Sequence, residues 1–213
     1  MRDFNHEAGV RSDRGFTLNE MLVVMALMSV VTMAAYLLMS ATTSMANDTE
    51  ARQVATEDNR RLLDMLAREI RQAYEISDGG GAFAEVSPRQ CTFYTDVNRD
   101  GVPEKVRYRI EGHDVFRAQT TATSALPPYT FGSLDSEQQV AKTVDAAWSG
   151  DVFTYYGNTY GADGKPVQVG PTEPAKVSAV QIRLVNTAHA GERSATVDLS
   201  TWVKVRAVYS TID

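Results

Sequence analysis

The chain has 213 residues, of which 43% are hydrophobic and 23% are charged. This composition is ordinary for a globular protein and excludes global disorder and a collagen-like structure. A net charge of −6 disfavours non-specific binding to nucleic acid, for which a basic surface is typical. The length predicts one domain with an appendage.

The chain has one cysteine, Cys91, so an intrachain disulfide is excluded. We expect a buried free thiol, with pairing between chains as the alternative. No zinc-ligand spacing, phosphate-binding loop or hydrolase motif is present in the sequence. An enzyme is therefore not expected.

The N-terminal region combines a polar leader with a long apolar stretch. Residues 1–15 are polar, and residues 21–47 contain no charged side chain. A bilayer core needs about 20 apolar residues at ~1.5 Å rise each, so residues 16–47 are predicted to form a hydrophobic helix that can span a membrane. Arg11 and Arg14 precede the stretch and Asp48 follows it. Because cytoplasmic flanks of membrane spans are enriched in Lys and Arg, we expect the leader in the cytoplasm and the body outside.

Residues 14–20, Arg-Gly-Phe-Thr-Leu-Asn-Glu, stand directly before the apolar run. This combination resembles the leader and stem of type IV prepilins and of type II secretion pseudopilins. The resemblance implies that prepilin peptidase cleaves between Gly15 and Phe16 and N-methylates Phe16. It also implies that Glu20 pairs with the N-terminal amine of a neighbouring subunit, because two charges in an apolar setting are satisfied only by each other.

The same resemblance implies a location and a set of partners. The protein would be a single-pass inner-membrane protein with its head in the periplasm, and would then lie at the base or tip of a pilus. Its partners would be prepilin peptidase, other minor and major pilins, and the inner-membrane assembly platform.

Two other interpretations of the N-terminus are open. A secretory signal peptide is disfavoured because the apolar stretch is too long, Glu20 abuts it, and residues 44–46 form a poor cleavage site. The second alternative is an unprocessed signal anchor, in which Glu20 lies at the membrane interface and reaches water. No proline occurs from Phe16 to Ser77, which favours an unbroken helix and departs from many major pilins.

The helix is predicted to continue as an amphipathic segment over residues 48–78. Leu62, Leu66 and Ile70 recur at helical spacing with Leu63 beside them, and Ala73 extends the stripe. We expect this stripe to pack on a sheet, with an exposed partner groove as the alternative. The glycines at 79–81 are predicted to end the helix.

Residues 79–213 are predicted to form an antiparallel β head. Apolar residues alternate with polar ones over 106–110, 180–184 and 203–207, a hairpin turn is expected at 111–114, and an aromatic strand at 151–157. The predicted fold class is α+β and pilin-like, with a long N-terminal helix packed on a C-terminal antiparallel sheet. The arginines on the other sheet face are expected in solvent, with a partner surface as the alternative.

The head also carries weaker similarities to PilW-like minor pilins. They lie at residues 62–73, 94–100, 106–117, 153–156 and 180–184. The variable loop at residues 120–174 holds most of the prolines and is either a recognition surface or a cover over the core.

An acidic turn resembles the first part of a calcium-binding loop. Its candidate ligands are Asp96, Asn98, Asp100, the Val102 carbonyl and Glu104. The competing interpretation is a hairpin turn without a metal, since Asp, Asn and Gly favour turns. Ca²⁺ is the one cofactor that the sequence suggests.

The sequence predicts a minor type IV pilin, a structural subunit that primes or caps a filament after processing. One alternative is a minor pseudopilin of a type II secretion system. Another is a pilus-tip adhesin or ligand-binding module that reads its target with residues 120–174.

Overall fold

The computed structural model describes residues 16–76, 80–134, 136–142, 145, 148–190 and 193–205. The chain divides into two compact units, Met1–Asn47 and Asp48–Asp213. The predicted leader, residues 1–15, lies outside the described residues. Helix α1 (Leu18–Arg71) begins in the first unit and ends in the second.

Helix α1 is unbroken over 54 residues, in agreement with the absence of proline from this stretch. It ends at Arg71, earlier than the predicted end at residues 77–81. The N–H of Gln72 donates to the carbonyl three residues earlier, and the N–H of Tyr74 donates to the carbonyl of Tyr94 at 3.1 Å. The chain therefore leaves the helix because its backbone pairs with the sheet.

Gly81 has a different role from the predicted helix stop. Its φ is +72°, and a Cβ there would lie 2.4 Å from the Cα of Ala175. Ala175 belongs to a short 3₁₀ helix, Pro174–Lys176. Glycine is required at 81 because the backbone passes too close to this helix for any side chain.

Five strands form the first sheet in the order β1-β2-β3-β4-β5, and every neighbouring pair is antiparallel. These strands are β1 (Phe83–Ser87), β2 (Gln90–Thr95), β3 (Glu104–Glu111), β4 (Asp114–Thr121) and β5 (Gln138–Lys142). The predicted hairpin at 111–114 is confirmed, with Glu111 opposite Asp114 and Gly112 at a φ of +58°.

Four strands form a second antiparallel sheet in the order β7-β6-β8-β9. These strands are β6 (Phe153–Tyr160), β7 (Pro166–Gln168), β8 (Ala179–Ala190) and β9 (Arg193–Lys204). The head thus contains two sheets where the sequence predicted one. The α+β class with antiparallel strands is confirmed.

The core joins one stripe of α1 to the inner faces of both sheets. The predicted helix stripe is confirmed: Leu66 and Ile70 have no exposed surface, and Leu62 is 2% exposed. The alternations over 106–110 and 180–184 are confirmed by buried side chains at alternate positions. In the third predicted alternation, over residues 203–207, Val203 and Val205 are buried, and Ala207 lies outside the described residues.

The region 120–174 contains two strands, β5 and β7, besides the predicted aromatic strand. Both are end strands of their sheets and expose most of their side chains. Such strands lack the apolar alternation of a half-buried strand, which explains why the sequence did not indicate them.

Candidate functional site

The start of α1 is fixed by Thr17. Its carbonyl accepts the N–H of Met21 at 3.2 Å, and its Oγ1 accepts the N–H of Glu20 at 3.3 Å. Thr17 is therefore the N-cap, which satisfies one of the N–H groups left without a helical partner. The Thr-x-x-Glu spacing of a capping box could have identified Thr17 from the sequence.

Glu20 lies in the first turn of this helix and is exposed. A carboxylate there is favoured by the positive end of the helix dipole. Within the described part of the chain, Glu20 forms no salt bridge. Its charge is thus free to pair with a cation outside this chain. Phe16 is 72% exposed, and Gly15 lies outside the described residues.

The apolar part of α1 exposes its large hydrophobic side chains along its length. Hydroxyl side chains in this part donate to backbone carbonyls three or four residues earlier, so they satisfy their donors without water. These residues are Ser29, Thr32, Ser40, Thr42, Thr43 and Ser44. In the described chain, α1 is the one helix whose length and composition suit a membrane span.

The comparison with known families decides what this helix start represents. Residues 10–36 match the family model of the prokaryotic N-terminal methylation motif. The chain carries a prepilin-type methylation motif. The motif includes Gly15, Phe16 and Glu20 and supports a type IV prepilin-like protein. It is a motif of structural subunits and implies processing by prepilin peptidase, association with other pilins and a membrane anchor. No curated protein matches the chain.

The acidic turn between β2 and β3 bonds to its own backbone. Asp96 accepts the N–H groups of Asp100 and Gly101 at 3.1 and 3.0 Å, and Asp100 accepts the N–H of Val102 at 2.8 Å. Over the described residues, no group of three or more His, Cys, Asp or Glu side chains is arranged to hold a metal. In this conformation the acids serve as turn-forming acceptors. Calcium binding stays a prediction.

Three arginines on the outer sheet faces are paired with carboxylates, and Arg206 lies outside the described residues. Glu137 bonds to Arg107 at 2.9 Å and to Arg109 at 2.5 Å, and Arg183 bonds to Asp198 at 2.6 Å. Hydrogen bonds from Arg109 lower the pKa of Glu137. These three arginines therefore do not form an unpaired basic surface of the kind that binds nucleic acid.

Part of the loop at 120–174 packs over the first sheet. The ring of Phe131 lies 5.1 Å from that of Tyr94, and Glu137 reaches the β3 arginines. Phe131 and Glu137 therefore cover the outer face of the first sheet, opposite the core. Leu126 remains 74% exposed, and a recognition role for the loop stays a prediction.

One further ion pair joins two residues that the sequence did not connect. Glu69 of α1 forms an ion pair with Arg117 of β4 at 3.2 Å and thereby connects the helix to the first sheet.

Cys91 is free and fully buried, as expected, and burial raises the pKa of its thiol to about 12. The thiol therefore stays protonated at neutral pH and is not activated as a nucleophile.

Proposed function

We propose that this protein is a minor type IV pilin that primes or caps a filament. The methylation motif at residues 10–36, continued by an unbroken apolar helix, carries the proposal. The helix has no proline to bend it, and the head combines two antiparallel sheets with the amphipathic end of the same helix. This arrangement suits a subunit that is anchored by its stem and presents a folded head to its neighbours.

In this proposal the protein is first a substrate and then a structural element. Prepilin peptidase cuts between Gly15 and Phe16 and methylates Phe16. The stem holds the head on the periplasmic side of the inner membrane until docking. Glu20 then pairs with the amine of a neighbouring subunit, and apolar helix packing drives entry into the filament. Its partners are other minor and major pilins and the inner-membrane assembly platform.

Co-expression with a prepilin peptidase tests the first step. N-terminal sequencing and intact mass should show a chain that begins at Phe16 and carries one added methyl group. A Gly15→Leu variant should keep the full leader, because a bulky side chain replaces hydrogen at the cleaved bond. A wild-type chain that retains Met1, or is cut near Ala46, would contradict the proposal.

A minor pseudopilin of a type II secretion system is the second candidate, since the same motif supports it. Deletion of the gene separates the two. Loss of surface filaments with normal protein secretion supports the pilin, whereas loss of secretion with normal filaments supports the pseudopilin.

A further inference from the structure

A groove of about 450 Å³ runs beside the second half of α1. Arg60, Arg68 and Arg71 line it from the helix, and Thr201 of β9 lines it from the sheet. All of these residues belong to the unit Asp48–Asp213.

The groove carries unpaired positive charge. All three arginines are exposed, and none of them forms a salt bridge in the described part of the chain, unlike the adjacent Arg61, which pairs with Glu57 at 3.0 Å. Asp64 is the one carboxylate among the described residues that line the groove. The lining thus has a formal charge of 3 − 1 = +2 in a protein whose net charge is −6.

The floor and wall of the groove suit a docked chain segment. Leu63 and Ala67 line the floor and belong to the packed core, with 7% and 8% of their surfaces exposed. The wall strand β9 is the end strand of its sheet and pairs with β8 on one side. An apolar floor between arginines is the composition of an anchoring contact, because arginine is enriched at interface hot spots.

Negative charge that complements the groove lies on the same helix, in the segment that precedes the groove residues. Residues 48–58 contain four acids and one arginine, or −4 + 1 = −3, whereas residues 60–71 contain four arginines and two acids, or +4 − 2 = +2. The two segments are centred about 12 residues apart, or ~18 Å along a helix. Stems inserted in a membrane with the same orientation are parallel, so a shift of about this length places the acidic segment of one stem beside the basic segment of the next.

We propose that this groove binds the acidic stem segment, residues 48–58, of a second copy of this chain that lies beside it as a neighbouring subunit. The proposal rests on the proposed function, because that function makes the neighbouring stems parallel. The contact fixes the axial shift between two stems, which apolar packing alone leaves adjustable, and electrostatic complementarity sets the register.

The helix dipole accounts for only part of this charge pattern. Arg68 and Arg71 lie in the last turn of α1, where a cation is favoured by the negative end of the dipole. Arg60 lies 11 residues before the end and gains nothing from it, because the effect is confined to the last turn.

A binding experiment on the full chain in detergent micelles tests the groove. The probe is a labelled peptide with the sequence of residues 48–58, compared with a peptide in which each Asp and Glu is replaced by Asn and Gln. We expect saturable binding of the acidic peptide that weakens as salt is raised. The Arg68→Gln/Arg71→Gln variant should raise its Kd about three- to tenfold, since two exposed ion pairs are lost.

Two matched variants test whether the weaker binding comes from the groove itself, from the change in net charge or from a less stable helix end. Lys105→Gln/Lys165→Gln removes the same charge outside both the groove and the acidic segment and should keep the wild-type Kd. Arg68→Lys/Arg71→Lys keeps the charge at the helix end and should keep most of the binding. Equal binding of the neutral peptide, an equal loss in the Lys105/Lys165 variant, or no saturable binding would overturn the proposal.

The binding assay and the processing assay can fail separately. A chain that is processed to Phe16 but does not bind the peptide contradicts the groove assignment alone. A chain that binds the peptide but keeps Met1 contradicts the proposed function and supports the charge contact.

Discussion

Asn59 is a polar residue in an apolar position of α1. Its side chain has no exposed surface, and neither Nδ2 nor Oδ1 has a hydrogen-bond partner in the described structure. A buried polar group without a partner costs about 1–3 kcal/mol. The core therefore carries a local weakness where the helix stripe begins.

We expect Asn59→Leu to raise the free energy of unfolding by about 1–3 kcal/mol, because it removes two unsatisfied polar atoms at similar volume. The measurement is chemical unfolding of the full chain in detergent. Gln53→Leu is the matched control, since Gln53 is exposed on the same helix and its change should have little effect. A loss of stability in Asn59→Leu would show that this amide has a partner in solution.

Glu104 is a carboxyl group with almost no exposed surface, at 3%. Burial raises its pKa, the nearby Asp96 and Asp100 carboxylates raise it further, and a hydrogen bond from the Val97 N–H opposes the rise. A carboxyl with a raised pKa in the folded state favours folding below its ordinary pKa of 4.5. This contribution is lost as the pH rises through the folded-state value.

The Glu104→Gln variant should therefore lack this loss of stability with rising pH. Gln keeps an oxygen for the Val97 N–H and never ionises, so its stability relative to wild type should increase from pH 4 to pH 7. Chemical unfolding across this range measures the difference. A constant difference between the two proteins would contradict the raised pKa.

At the scale of elements, the turn between β2 and β3 places the carboxylates of Asp96, Asp100 and Glu104 near Tyr74 without arranging them to hold a metal. Burial raises the pKa of Tyr74 to about 12, with Asp96 as the next cause. Backbone N–H groups use part of the acceptor capacity of Asp96 and Asp100, and each carboxylate oxygen has further lone pairs. A cation could reduce the repulsion among these acids.

If the predicted calcium site exists, millimolar Ca²⁺ should raise the Tm of the full chain, because ligand binding to the folded state stabilises it. The Asp100→Asn variant should lose this shift, whereas Asp163→Asn, in a different turn, should keep it. Equal millimolar Mg²⁺ serves as the ionic-strength control. An unchanged Tm at millimolar Ca²⁺ would contradict the predicted calcium site.

Helix α1 joins two surfaces with different chemistry. Its first part exposes apolar side chains with internally bonded hydroxyls, and its last part buries one stripe in the head. The ion pair between Glu69 and Arg117 secures the second surface to β4. A single element can thus serve as an anchor and as part of a folded head.

At the scale of the whole molecule, the proposed filament depends on one charge at the start of the stem. Glu20→Ala should leave processing by prepilin peptidase largely intact and impair assembly. Loss of a dipole-favoured acid costs only about 0.3–1 kcal/mol locally, so a large assembly defect would reflect a lost partner.

The measurement compares the processed fraction with the amount of filament in cells. Asp151→Ala is the control, because Asp151 is an exposed acid in the head, outside the stem and outside the proposed charge contact. Normal filaments with Glu20→Ala would exclude the pairing role.

The sequence by itself determined the features that neighbouring residues encode. The methylation motif, the apolar stretch and the stripe with Leu66 and Ile70 are local or periodic patterns, and a helix of fixed pitch turns them directly into surfaces. The alternating strands and the hairpin at 111–114 follow for the same reason. The Thr-x-x-Glu spacing that marks the Thr17 cap is also a local signal.

Tertiary structure decided what depends on residues far apart in the chain. The end of α1 is set by Tyr74 pairing with Tyr94, and the outer arginines of β3 are neutralised by Glu137, 28 residues beyond Arg109. The division of the strands into two sheets and the burial of Asn59 are equally non-local. Such contacts form only when the topology brings distant segments together, so no local period or motif predicts them.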